Sequence, residues 1–280
     1  MQAIRWIFPI AVLFLVACNL TKDVEIELPD YERQPVVECY LEPGKPFRLL
    51  LTQSYSYFDP FNLDSNFLQN TLLDGAQVSI SYNGQTVNLS NQLSFEFSPL
   101  KIFNYSSFTK VPSTPGIVYE LHIVLPDGKE ISGQATMLTV TPIDSIKIDW
   151  SPTNDSLARV LTYITDDTAQ EDFYRRLLNY HALDSFPAQD FIVNDRISQT
   201  PLIAFGTTYE VREGDTLYNT IFHIEKEYYD YIESVQLAVV GNANPFAQPS
   251  PIKSNVQGSG NPIGIFTCLV YDRDTTIVHK

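Results

Sequence analysis

Two hairpin signals constrain this chain more than any other feature. Val78-Ser79-Ile80-Ser81-Tyr82 and Val87-Asn88-Leu89 alternate apolar and polar residues on either side of Asn83-Gly84. Both central positions of a two-residue hairpin turn need positive φ, which Asn and Gly adopt most readily, so the stretch predicts two antiparallel strands. Residues 119–125 and 130–135 repeat the arrangement around Pro126-Asp127-Gly128. Further upstream Val37, Cys39 and Leu41 share one strand face. Pro43-Gly44 then turns the chain into a buried strand over residues 47–52.

Turns at this spacing predict a mainly β protein, with an N-terminal sandwich of immunoglobulin or transthyretin type over residues 35–141. Aromatic residues are plentiful, 17 Phe and 16 Tyr, and only 18% of residues are charged, which favours packed β structure over disorder. Thr141-Pro142 marks a boundary, and Ile146, Ile148 and Trp150 open a second β region over residues 142–280. Residues 158–165, 173–183, 217–224 and 265–271 read as its strands. The exception is 225–239, where Tyr228, Tyr231, Ile232, Val235 and Val239 recur at helical spacing. Glu225, Glu227, Asp230 and Glu233 lie mostly off that stripe, and acids in a first turn suit a helix N-terminus, so the segment predicts one amphipathic, core-facing helix.

The N-terminus predicts export. Arg5 precedes an apolar run of about a dozen residues, too short to span a bilayer stably. The run closes in Leu15-Val16-Ala17-Cys18, which resembles the lipobox of bacterial lipoproteins: a branched residue, a tolerant position, a small residue, then the cysteine whose thiol takes the lipid. Residues 1–17 are then a signal peptide, Cys18 is the lipidation site, and 18–34 form a polar, acidic tether. Multiple acyl chains on one cysteine suffice for stable membrane anchoring.

The net charge of −15 repels phosphate backbones, which argues against nucleic-acid partners. Two further cysteines, Cys39 and Cys268, lie near the two ends. An oxidising envelope admits a disulfide between them, and their strand-face positions equally admit two separate buried thiols.

The search for chemistry yields no catalytic set. His122, His181, His223 and His279 are scattered without metal-ligand spacing and read as partly buried strand histidines. Asp166-Asp167, Glu171-Asp172 and Asp272-Arg273-Asp274 read as loop charges in an acidic chain. Asn62-x-Asp64-x-Asn66 imitates the start of a calcium loop, but Phe67 and Leu73 stand where that loop needs glycine and glutamate. The run 258–264 is glycine-rich but leads into a strand, so it reads as a turn rather than a phosphate cradle. No metal or cofactor is expected.

Residues 242–251 remain. Their prolines make the segment stiff and unfit for a central strand, and Phe246 is its one large apolar residue. Phe246, with Asn244, Pro245 and Pro249, is the candidate partner-binding handle, a structural plug being the alternative. Asn244-Pro245-Phe246 with Pro249, Ser254-Asn255-Val256 with Gly258, and Gly264-Ile265-Phe266 resemble the C-terminal signature of a Bacteroidota lipoprotein family known as domain of unknown function 4249. Residues 18–46, including Val36-Val37-Glu38-Cys39-Tyr40-Leu41, and 54–60 resemble the same family. Ser259, Asn261 and Pro262 depart from its compact glycine-rich turn. The Lys22-Asp23 step and the acids after it also resemble the surface-export signal of Bacteroidota lipoproteins, and equally read as a solvated linker.

The resemblance implies an outer-membrane lipoprotein often encoded beside TonB-dependent receptors. The expectation is a non-enzymatic accessory or ligand-capturing partner of a TonB-dependent transporter, more naturally facing the surface than the periplasm. The rivals are a structural or adhesive surface protein, and a hydrolase whose carboxylates meet only in three dimensions.

Overall fold

The computed structural model describes residues 32–55, 70–97, 100–198, 200–242 and 250–280. Alternation sets the first strands. β1 (Pro35–Leu41) turns Val37, Cys39 and Leu41 inward, and β2 (Pro46–Gln53) does the same with Phe47, Leu49 and Leu51. β3 (Gln77–Tyr82) and β4 (Gln85–Phe97) form the expected hairpin, with Asn83 at φ 46 and Gly84 at φ 74. β5 (Leu100–Lys110) precedes the second hairpin, β6 (Val118–Val124) and β7 (Glu130–Thr136). Then come β8 (Ile143–Trp150), β9 (Ala158–Thr165), β10 (Phe173–Tyr180), β11 (Gln189–Asn194), β12 (Leu202–Gly206) and β13 (Thr216–Ile224). The helix α1 (Lys226–Asn242) follows, and β14 (Val256–Gly258), β15 (Ile263–Cys268) and β16 (Val270–Ile277) close the described chain.

Among the described residues the architecture is mainly β with one long helix, as expected, but the boundary at 142 needs correction. Residues 142–280 do not form a self-contained C-terminal domain, because β14 and β15 join the N-terminal sheet. That sheet has nine strands in the order β14-β7-β6-β3-β4-β5-β2-β1-β15, with β15 parallel to β1 and β14 antiparallel to β7. Its two end strands are neighbours in sequence, so the sheet wraps on itself around one interior. All nine strands contribute to that interior, from Val37 on β1 to Phe266 on β15.

The closure depends on side chains that stand in for backbone. Asn255 Oδ1 accepts from Phe266 N at 2.9 Å, and its Nδ2 donates to Phe266 O at 2.6 Å and to Gln134 O at 3.4 Å. Ser254 Oγ donates to Gly264 O at 2.9 Å. Two glycines permit the close approach. A Cβ on Gly264 (φ +131) would lie 1.9 Å from Val37 O, and one on Gly258 (φ +147) would lie 2.0 Å from Glu130 O. The signature residues 254–266 are therefore the seam of the wrapped sheet, and the glycine run is a turn leading into β15.

The disulfide alternative is also corrected: both thiols are free and buried. In the β1–β15 register Cys39 faces Phe266 and Cys268 faces Leu41, a two-residue stagger that places the Cα atoms roughly 8 Å apart, beyond bonding reach. Cys39 Sγ instead donates to Arg48 O at 3.3 Å. Burial pushes both thiols well above their ordinary range, so neither is a ready nucleophile.

The second body is a two-layer sandwich. The sheet β11-β10-β13-β16 packs one face on the sheet β12-β9-β8 and the other on α1. Under the helix, Phe173, Phe222, Ile224 and Tyr228 meet Ile265 of β15, with Tyr40 of β1 packed beside them. The helix stripe is only partly as expected: Tyr228 is buried, and Tyr231 and Ile232 pack on this cluster, but Val239 is 65% exposed, as are Leu237 and Val240 to similar degree. The last turns thus leave apolar side chains open rather than core-facing.

Candidate functional site

The outward faces of β3, β6, β7 and β14, together with the start of α1, enclose a groove of about 770 Å³. Strand alternation explains its lining. On β6, Tyr119, Leu121 and Ile123 point into the wrapped sheet, which leaves Glu120 and His122 outside. Ser81, Gln134 and Gln257 add neutral polar groups from neighbouring strands. Glu225 and Glu227 enter from the helix start, where Glu225 O accepts from Tyr228 N and Tyr229 N.

Glu225 is the most perturbed group in the groove. Its Oε1 accepts from Thr136 N at 2.7 Å, and its Oε2 accepts from Thr267 Oγ1 at 3.3 Å. Burial nevertheless outweighs these bonds, and with the nearby Glu227 it pushes the carboxyl up to about 7. Three carboxylates face one imidazole, His122, which lies 3.6 Å from Glu130 outside the groove. Among the described residues no Lys or Arg lines the groove, so it suits a cationic or hydroxyl-rich ligand and disfavours an anion.

Sequence reasoning missed this site because Glu120, Glu225 and Gln257 come from separate segments without a shared motif. The only signal was the unpaired polar face of β6. Other expected residues are placed as follows. Cys18 and the handle Asn244, Pro245, Phe246 and Pro249 lie outside the described residues, as do Asn62, Asp64 and Asn66.

The histidine and carboxylate readings need correction. Only His223 is a buried strand histidine; His122, His181 and His279 are exposed, and His181 sits in a turn at φ 64. His223 Nδ1 lies 2.8 Å from Thr139 O and Nε2 lies 3.2 Å from Asp172 Oδ1. Asp166 and Asp172 are buried rather than solvated, and Tyr174 Oη donates to Asp166 at 2.6 Å. Asp272 lies within β16 and accepts from Ile143 N at 2.8 Å. These groups were misread because tertiary contacts, not local pattern, give each acid its partner. They fix the connection between the two bodies. Among the described residues no His, Cys, Asp and Glu group is arranged to hold a metal, and no helix is long and apolar enough to cross a membrane.

A second exposed feature is the β4–β5 ribbon. Its register pairs Phe95 with Ile102 and Phe97 with Leu100 on one face. Phe97 is 82% exposed and Leu100 66%. The opposite face carries Glu96 and Lys101, which pair with Arg48 and Lys45 and with Glu42 of the sheet beneath.

A family model described as Domain of unknown function (DUF4249) matches residues 21–275. No curated protein matches the chain. Among solved structures, a crystal structure of a Salmonella alpha-2-macroglobulin mutant is similar at 11% identity and a TM-score of 0.24. The match covers 71% of this chain and only 14% of that one, and at that score it carries no argument about fold or function.

Proposed function

The chain belongs to the family described as Domain of unknown function (DUF4249), and from that premise we propose a non-enzymatic outer-membrane lipoprotein that captures a ligand for a TonB-dependent transporter. The observation that carries the reading is the acidic groove of about 770 Å³. It is concave, polar and framed by the seam of the wrapped sheet, so its shape is held by the best-braced part of the fold. Leu15-Val16-Ala17-Cys18 supports lipid anchoring, and a tether over 18–34 would hold the β bodies clear of the headgroups. The groove's charge supports a cationic or hydroxyl-rich cargo.

Crosslinking in native membranes, followed by recovery through a C-terminal tag and mass spectrometry, tests the partnership. Recovery of one stoichiometric TonB-dependent receptor supports it. Recovery of no envelope protein, together with no binding on an array of cationic and glycan ligands, sinks it. A second reading, an adhesive surface protein, draws on the apolar face of the β4–β5 ribbon. Loss of surface attachment on Phe97→Ser with the groove untouched would favour that reading.

A further inference from the structure

The interior of the second sandwich is divided by a polar layer. Three strands place apolar, polar and apolar side chains at successive inward positions: Val160, Thr162 and Ile164 on β9; Leu178, Arg176 and Tyr174 on β10; Leu217, Asn219 and Ile221 on β13. Val160, Leu178 and Leu217 belong to one apolar cluster, and Ile164, Tyr174 and Ile221 to another. Thr162, Arg176 and Asn219 lie between them, each with no exposed surface.

The layer has more donors than acceptors. Asn219 Oδ1 accepts from Thr162 Oγ1 at 2.8 Å and from Arg176 Nη2 at 3.1 Å, which uses both of its lone pairs. Arg176 Nε, Arg176 Nη1 and Asn219 Nδ2 have no acceptor among the described residues. Nor does any described carboxylate form an ion pair with Arg176; the buried acids of this body, Asp166 and Asp172, are engaged by Tyr174 and His223. Burial pushes the guanidinium down only to about 10, so it stays cationic at neutral pH. A buried cation without a counter-charge carries a desolvation penalty of several kcal/mol.

We infer that this layer is a binding site for a small monatomic anion of the halide class, chloride in physiological media, held by Arg176 Nε and Asn219 Nδ2. The ligand class follows from what the layer lacks. A halide accepts from guanidinium and amide N–H groups, asks for no donor in return, and neutralises the charge. Water would accept the same bonds but leave the charge uncompensated, and only Thr162 Oγ1 keeps lone pairs to take its hydrogens. The apolar clusters above and below offer no donors to the further oxygens of a polyatomic oxyanion.

The test is unfolding of the purified full chain in chloride, bromide or gluconate at constant ionic strength. Gluconate, a polyhydroxylated carboxylate, is the non-halide control. The expected result is a saturable halide response. Above the dissociation constant, each tenfold rise in chloride or bromide lowers the unfolding equilibrium constant roughly tenfold, and gluconate does nothing. R176M should abolish the response. Equal stability in chloride and gluconate overturns the site, and so does a halide response that survives in R176M. Should R176M not fold, crystals of the unmutated chain grown in bromide decide the matter. An anomalous peak beside Arg176 Nε and Asn219 Nδ2 supports the site, and its absence there overturns it.

Discussion

The two β bodies keep their interiors in opposite ways. The wrapped nine-stranded sheet encloses a mainly apolar interior, and the polar side chains it does enclose or place at its seam, such as Asn104 and Asn255, complete backbone hydrogen bonds. The second sandwich sets a guanidinium and an amide in the middle of its core. The first arrangement gains stability from burial at roughly 25 cal/mol per Å² of apolar surface. The second gives up part of that gain, since a buried ion seldom repays its desolvation. The contrast suggests that the first body is the fixed frame, while the second has a stability that depends on what it binds.

The sharpest way to break this comparison is at the seam. Gly264→Ala places a Cβ 1.9 Å from Val37 O, so β15 can no longer lie against β1. A loss on the order of 5 kcal/mol or more is expected, read as lost soluble yield or a collapsed urea midpoint. Gly44→Ala is the control: it has open space and suffers only from positive φ, about 1–2 kcal/mol. If both variants behave alike, the seam is not what closes the sheet.

Asn255→Ala should come next. It strips the partner from Phe266 N–H and weakens Phe266 C=O, for an expected loss of roughly 3 kcal/mol by urea denaturation. Asn255→Asp keeps the acceptor but turns a carboxylate oxygen toward Phe266 O, so it should lose at least as much near neutral pH. In the second body the expectation changes sign. Arg176→Met replaces an unpaired buried cation with an apolar side chain of similar length, and in gluconate it should stabilise by about 1–4 kcal/mol. Leu121→Ala in the wrapped sheet should lose about 2–5 kcal/mol in any salt. A destabilised Arg176→Met in gluconate would mean that the two interiors are governed alike.

What could be read from the sequence follows the range of the interactions. β3 and β6 alternate cleanly because one face is buried and the other largely wet, β1 and β9 because the second face is only half-buried, and Asn83-Gly84 fixes its hairpin locally. The helix could be placed because Tyr228, Tyr231 and Ile232 repeat at its period. The return of β14 and β15 to the first sheet could not, because parallel pairing with β1 depends on contacts far apart in sequence. Nor could Arg176 be found: Arg175-Arg176 looks like a solvated pair, and only the fold turns one arginine to Asp190 and Tyr228 and the other inward. The groove stayed hidden for the same reason, with its acids drawn from β6 and the start of α1. The free thiols illustrate the converse case, since both strand faces were legible and only the two-residue stagger was not.

Glu225 sharpens the comparison with the smallest expected effect, because it sits where the bodies meet. Its carboxyl holds Thr136 N of the wrapped sheet and Thr267 of β15, yet it is pushed up to about 7 from an ordinary 4.5. Below about pH 4.5 both the folded and unfolded forms carry the proton, so the group contributes no difference. Between 4.5 and 7 the folded form keeps a proton that the unfolded chain releases, so stability falls as pH rises, and above 7 the full penalty remains. Glu225→Gln removes that penalty and keeps an oxygen for Thr136. Its stability relative to the unmutated chain should therefore be equal near pH 4.5 and higher by about 1–2 kcal/mol at pH 8, after allowing for the partial exposure of the site. Urea denaturation at the two pH values reads this directly. A pH-dependent gain would place the junction with the second body, as a charged group held against its solvation. An equal loss at both values would place it with the first, where Glu225 acts only as a hydrogen-bonding clamp like Asn255.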